Sequence, residues 1–326
     1  MTSAVVFAYH NVGYQCLKVL IGHGVDVKLV VTHRDNRDEN IWFESVEKLA
    51  VANNLPVQIP DDPNTAEFIS RIAELNADFL FSFYYRLMLK PQLLATVARG
   101  AYNMHGSLLP KYRGRVPINW AIIKGESETG ATLHEMVAKP DAGRIVDQEL
   151  VAILPDDTAG QVFEKVVTAA TTTLKRALPM LIDGCAQPYP QDLSKGSYYP
   201  GRKPQDGIIN WLDSAQNIHN LIRAVAPPYP GAITSICGSE VKVTSSKLAP
   251  AHFQHQNPGM LNVSSERVIA LCGDGRMLRI VEAEIDGQLH NEIMLAARFG
   301  VGVFALGTPP GTLCAAQSHQ AAIQSV

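Results

Sequence analysis

Charge is scarce in this sequence. Asp, Glu, Lys and Arg make up 18% of its 326 residues and nearly cancel, leaving a net −3. No global basic surface is on offer to nucleic acid, so no nucleic-acid partner is expected. Cysteine is also sparse: Cys16, Cys185, Cys237, Cys272 and Cys314 are scattered, with no CxxC pair. That excludes a disulfide scaffold and reads as the reduced thiols of a cytoplasmic protein. No apolar run reaches 18 residues, so no transmembrane helix is expected. MTSAVVFAYHN lacks the basic region and the apolar length of a signal peptide. Hydrophobic residues still make up 46% of the chain, enough for a sizeable core.

Several motifs are missing too. The first strand-to-helix turn, AYHNVGYQ, has one glycine where a dinucleotide fingerprint needs three, and no G-x-x-x-x-G-K-[ST] occurs. There is no HExxH. His105 and Asp141 could ligate zinc, but no third ligand is evident, so no metal is expected. Ser107 is not in a G-x-S-x-G elbow, which argues against a serine hydrolase.

What is present is alternation. AVVFA (Ala4–Ala8) reads as a strand buried on both faces, followed by a turn at Asn11 and Gly13 and a helix from Tyr14 to His23. Strands at 25–32, 57–59, 77–83 and 101–105 alternate with helices at 45–53, 65–75 and 91–97. Two extended stretches, 129–137 and 143–153, precede a long helix over 159–182. This pattern predicts a doubly wound, Rossmann-like, mostly parallel α/β sheet, with ligands beyond the carboxyl ends of its strands. After a Pro/Gly/Tyr-rich connection the pattern changes. A helix at 215–224 and short strands at 232–236, 240–245, 259–263, 267–271 and 277–284 predict a second, smaller β-barrel, partly open and OB-like. The expected domains are residues 1–203 and 204–306, with a disordered tail at 307–326.

The stretch YNMHGSLLPKYRGRVPINW (Tyr102–Trp120) begins inside the fifth strand and runs past its end. Asn103 and His105 are two apart, so on a strand they share a face. Asp141 lies in the turn KPDAG. Together the three supply an amide donor for a developing oxyanion, a proton carrier, and a carboxylate that raises and orients the imidazole. The set contains no nucleophile, so the attacking atom must come with the substrate. The bland alternative is that Asn103 and His105 only satisfy loop backbone.

NMHGSLLPKYRGRVPINW, followed by TGATLHEMVAKPDAG, resembles the 10-formyltetrahydrofolate-dependent formyltransferases. The family's N-x-H-x-S-L-L-P-x-x-R-G pattern is met by Asn103, His105, Ser107, Leu108, Leu109, Pro110, Arg113 and Gly114, and its D-x-G by Asp141 and Gly143. The resemblance runs from about residue 4 to about residue 305. It is strongest to enzymes that formylate UDP-4-amino-4-deoxy-L-arabinose in lipid A modification and polymyxin resistance. VVFAYHN, THRDN, FSFYYR and RAVAPPYPGA carry it. Methionyl-tRNA formyltransferases, which usually read RGAAPIQRAI where this chain has RGRVPINWAI, are the alternative, as are enzymes acting on other dTDP- or UDP-linked 4-amino sugars. The NAD-dependent second domain of the polymyxin-resistance enzyme is not in this sequence.

The resemblance implies an N-formyltransferase with 10-formyltetrahydrofolate as donor and a nucleotide-linked amino sugar as acceptor. It makes Asn103, His105 and Asp141 catalytic. It places the folate against Leu87, Met88, Leu89, Arg115 and the run Val137, Ala138, Lys139, Pro140 and Asp141. Tyr85, Arg86, Ser107 and Trp120 are candidates for the acceptor. Oligomeric state stays open, a homodimer among the options.

Overall fold

The computed structural model describes residues 1–36, 39–252 and 257–308. The chain forms two compact units. The first contains Met1–Ile118, Glu128–Ala152 and Val162–Gly201; the second contains Asn119–Ser127, Ile153–Gln161 and the chain from Arg202 onward. The chain therefore alternates between the units rather than finishing one before starting the next.

In chain order the first unit holds β1 (Ser3–Ala8), α1 (His10–Gly22), β2 (Asp26–Val31), α2 (Val46–Ala52), β3 (Val57–Gln58), α3 (Ala66–Glu74) and β4 (Phe79–Phe83). Next come α4 (Pro91–Leu94), β5 (Gly100–His105) and the short β6 (Arg113–Gly114). α5 (Pro117–Ile123) begins in this unit, with Pro117 opening it, where a missing N–H costs nothing. β7 (Glu128–Glu135), β8 (Ile145–Ala152) and β9 (Tyr198–Tyr199) follow, with α6 (Ala159–Ile182) entering this unit at Val162. The sheet order is β3-β2-β1-β4-β5-β7-β8. Neighbouring strands from β3 to β5 pair in parallel, and β7 pairs antiparallel with both β5 and β8. Every residue of β1 and β4 is buried, as the two-faced apolar runs require.

Two differences from expectation stand out here. α1 starts at once after β1: Gly13 N–H already donates to Tyr9 O at 3.1 Å, so Asn11 and Gly13 lie in the first helical turn, not in a loop. α5 was not foreseen, because Pro117 reads as a breaker when its helix-starting role is overlooked.

The second unit contains α7 (Ala215–Val225), β10 (Ala232–Ile236), β11 (Ser239–His252), β12 (Met260–Val263), β13 (Val268–Leu271), β14 (Arg276–Ile285), β15 (Gln288–Asn291), α8 (Glu292–Phe299) and β16 (Gly302–Gly307). Strands β11-β10-β16-β12-β13-β14 form a ring closed by β11 pairing with β14, and β15 adds to β14. The barrel is thus a closed six-stranded one, not the partly open one expected. β11 runs 14 residues, and its irregular register lets one strand pair with both β10 and β14. Val241, Val243, Leu261, Leu278 and Ile280 fill the core with Trp211, whose Nε1–H donates to Thr234 Oγ1 at 2.8 Å.

The early pieces of this unit are held by α7. Asn119 Nδ2 donates to Ala224 O at 2.7 Å, and Arg223 donates to Asp157 O at 3.0 Å. Gly307 ends β16; the rest of the predicted tail, from residue 309, lies outside the described residues.

Candidate active site

The site is built where the sheet changes direction. β5 and β7 are antiparallel neighbours, with Asn103 opposite His134 and His105 opposite Thr132. Directly opposed residues share a face, and so do residues two apart on one strand. Asn103, His105 and His134 therefore lie on one face. Asn103 Nδ2 is 3.1 Å from His134 Nε2. The other nitrogen of that ring, Nδ1, lies 2.8 Å from Glu135 O; a carbonyl only accepts, so Nδ1 carries the proton. In this tautomer Nε2 accepts from Asn103, leaving the second amide hydrogen of Asn103 for another acceptor. His134 belongs to neither family pattern above. The signal it left is one imidazole inside the apolar strand TGATLHE.

His105 is buried at the end of β5, and its Nε2 donates to Tyr112 O at 2.8 Å. That carbonyl belongs to a loop fixed by β6, which pairs in parallel with β9. Gly114 in β6 has φ +99, and a Cβ there would lie 2.2 Å from Tyr199 O, so no other residue fits without moving backbone.

Asp141 reaches the pair from the turn between β7 and β8. Its φ of +52 is a left-handed conformation that Asp tolerates better than most residues. Two residues on, a Cβ at Gly143 would sit 1.9 Å from Glu135 O, which explains the glycine of D-x-G. Oδ1 lies 3.5 Å from His134 Nε2 and 3.7 Å from His105 Nδ1, and Oδ2 accepts Gly114 N–H at 2.9 Å. Burial alone would push this carboxyl up. The facing His105 and the Gly114 N–H outweigh it and hold the carboxyl well below the usual range.

The arrangement offers one amide hydrogen, two imidazoles and an ionised carboxylate. Ser107 is fully buried and its hydroxyl donates to Lys111 O at 2.7 Å; Ser197 Oγ accepts Tyr112 N–H at 2.9 Å. Among the described residues no group of three or more His, Cys, Asp and Glu could hold a metal ion. Such a site can stabilise an oxyanion and move a proton between two bound molecules.

Residues 14–178 match the formyl transferase family and residues 202–296 match the formyl transferase C-terminal domain. The chain belongs to the formyl transferase family. Among solved structures, this formyl transferase is similar to an N-formyltransferase from Helicobacter canadensis bound to folinic acid and dTDP-3-aminofucose. The two are 22% identical, with 86% of this chain and 99% of that one covered at a TM-score of 0.69. It is also similar to WlaRD, a sugar 3N-formyl transferase, at 21% identity, 88% and 99% coverage and a TM-score of 0.67. HypX from Aquifex aeolicus, solved with tetrahydrofolic acid, is 18% identical; 91% of this chain covers 48% of that one, at a TM-score of 0.60.

The remaining predicted positions of the formyl transferase fall in several places. Leu87 and Met88 follow β4 with exposed side chains, whereas Leu89 is buried in the sheet core. Val137, Ala138 and Lys139 are exposed on the turn leading to Pro140 and Asp141. Arg115 is exposed, and its N–H donates to Tyr199 O at 3.0 Å. Tyr85 stacks on His33 with ring centroids 4.1 Å apart, and Arg86 pairs with Glu39 at 2.7 Å. The Ser107 hydroxyl holds its own loop. Trp120 belongs to the second unit, where the Arg202 guanidinium lies over its ring at 5.6 Å. No helix among the described residues is long and apolar enough to cross a membrane.

Proposed function

We propose that this formyl transferase moves the formyl group of 10-formyltetrahydrofolate onto the amino group of a nucleotide-linked amino sugar. The observation that carries this is the make-up of the site: an amide donor, two imidazoles and a carboxylate, with the neighbouring Ser107 hydroxyl committed to Lys111 O. The acceptor amine must then attack the formyl carbon itself. The likeness to two sugar formyltransferases, solved with folinic acid or 5-N-formyl-THF and with dTDP or a dTDP-sugar, supports both donor and acceptor.

Bound formyl-folate supplies an activated formyl carbon. Asn103, with one amide hydrogen committed to His134, offers the other to the formyl oxygen as negative charge builds there. His105 carries the proton from the attacking amine toward the departing folate nitrogen. Asp141, held ionised, stabilises the protonated form of that imidazole and keeps the ring in place. Leu87, Met88 and Val137 expose apolar side chains on segments that leave β4 and β7, the two strands beside β5, which suits a flat pterin. Arg115 and residues 138–140 complete the donor side. Tyr85, whose buried hydroxyl has no partner among the described residues, and Arg86 face the acceptor.

The sequence RGRVPINW favours UDP-4-amino-4-deoxy-L-arabinose as acceptor, which would place the reaction in lipid A modification and polymyxin resistance. A second reading, a dTDP-linked amino sugar, is favoured by the Helicobacter canadensis complex. The test is a panel of UDP- and dTDP-linked 3- and 4-amino sugars and Met-tRNA, followed by tetrahydrofolate absorbance. Turnover of an amino sugar is expected; formylation of Met-tRNA alone would overturn the proposal.

A further inference from the structure

The segment from Tyr189 to Tyr199 lies between the two family matches, which end at residue 178 and resume at residue 202. It nevertheless touches both halves of the site. Tyr189 exchanges backbone hydrogen bonds with Ile145 at 2.8 and 2.9 Å, anchoring the segment at the start of β8. From there Gln191 Nε2 donates to Asp141 O at 3.1 Å and to Gly143 O at 2.6 Å, gripping the turn that presents the carboxylate. Gln191 Oε1 is buried and has no partner among the described residues, so the side chain is held there by its amide hydrogens alone. Further on, Ser197 accepts Tyr112 N–H on its hydroxyl and Arg113 N–H on its carbonyl. Tyr199 stacks on Tyr112 with centroids 5.3 Å apart. Tyr112 is the residue whose carbonyl holds His105.

We propose that Gln191 is a positioning residue for Asp141, and that residues 189–199 form one strap fixing the Asp141 turn against the loop that holds His105. The inference rests on the reading of His105 and Asp141 as the proton-handling pair. The strap reaches both backbones within one short segment: the amide of one side chain spans two carbonyls of the D-x-G turn, and Ser197 holds Tyr112 and Arg113. A displacement of a fraction of an ångström there changes a 3.7 Å approach that is already long for a hydrogen bond.

The test is a double-mutant cycle with 10-formyltetrahydrofolate and the amino sugar that the panel identifies. Gln191→Leu should lower kcat about tenfold while each KM stays within about twofold, because Gln191 acts through a catalytic group and not on substrate. In an Asp141→Asn background the same substitution should cost almost nothing more. If Gln191→Leu does not fold, Gln191→Met, which keeps the unbranched shape, takes its place in the cycle. Wild-type kcat in the Gln191 variant, or a full additional loss on top of Asp141→Asn, overturns this inference alone. Wild-type turnover by Asp141→Asn itself overturns the reading of the site on which it rests.

Discussion

Replacing Asp141 by Asn keeps the shape of the side chain and removes its charge. Three contacts feel the change: Gly114 N–H at 2.9 Å, His134 Nε2 at 3.5 Å and His105 Nδ1 at 3.7 Å. A hydrogen bond to a charged acceptor contributes about 1.5–3 kcal/mol, and one to a neutral acceptor about half as much. Asn can still accept from Gly114, so stability at pH 7 should fall by only about 1–2 kcal/mol. The pH dependence has a definite sign. The neighbours hold the folded-state pKa of Asp141 below its unfolded value, so its contribution is complete above roughly pH 5 and is lost as pH falls through the folded value. The stability gap between the two proteins should be level from about pH 5 to 8 and should close below about pH 4. The effect on rate should be larger. Without the carboxylate, the protonated imidazole of His105 loses its neighbour at the moment it is needed, and kcat should drop about 10²-fold, or ~2.7 kcal/mol in the barrier. Steady-state tetrahydrofolate release, measured beside melting curves across that pH range, checks both parts. Full turnover would refute the catalytic role; a stability gap that widens toward acid would refute the electrostatics.

His134→Leu removes the acceptor for Asn103 and one partner of Asp141, and should lower kcat about tenfold or more; His134→Gln, which restores an acceptor, should recover part of it. Gly143→Ala places a Cβ 1.9 Å from Glu135 O, so the turn must shift; about 1–3 kcal/mol of stability should be lost along with most activity, and an unchanged melting point would contradict the crowding. His10 is held neutral, its pKa lowered to about 3, chiefly by burial and then by Arg86. The unfolded chain protonates this ring below about pH 6.5, so stability should fall by up to about 1.4 kcal/mol per pH unit from there toward pH 4. His10→Asn, which suits the left-handed φ of +63, should flatten that slope in urea melts. His105→Ala should lose about 10²-fold in kcat with the fold intact; near-normal turnover would count against the assignment.

Much of the first unit was legible because its signals are local and long. The two-faced apolar strands AVVFA and FLFSF and the amphipathic run of α6 each announce themselves within one segment. The trio was legible in part for the same reason: Asn103 and His105 share a face by period alone. His134 was not, since an imidazole in an apolar strand is ambiguous until the register sets it opposite Asn103. Gln191 and Ser197 were beyond reach, because their contacts bridge 50 and 85 residues of chain and depend on backbone groups that carry no residue signature. In the barrel, α8, β15 and β16 were passed over as short and mixed in polarity, and the closure of the ring depends on the pairing of one long strand whose register shifts along its length.

The alternation of the chain between its two units has a practical outcome for anyone cutting the protein. Truncation after Gly201 keeps every strand of the first sheet but also keeps Asn119–Ser127 and Ile153–Gln161, which belong to the barrel unit. Ala121, Ile122, Ile153 and Ala159 are buried in the intact chain. In the shortened one, Asn119 loses Ala224 as its acceptor and the carbonyl of Asp157 loses Arg223 as its donor. A fragment made this way carries sticky apolar stubs and unpaired amides at two points of its surface, and it should precipitate. Supplying residues 202–308 as a separate polypeptide should rescue its solubility, as in split-protein complementation.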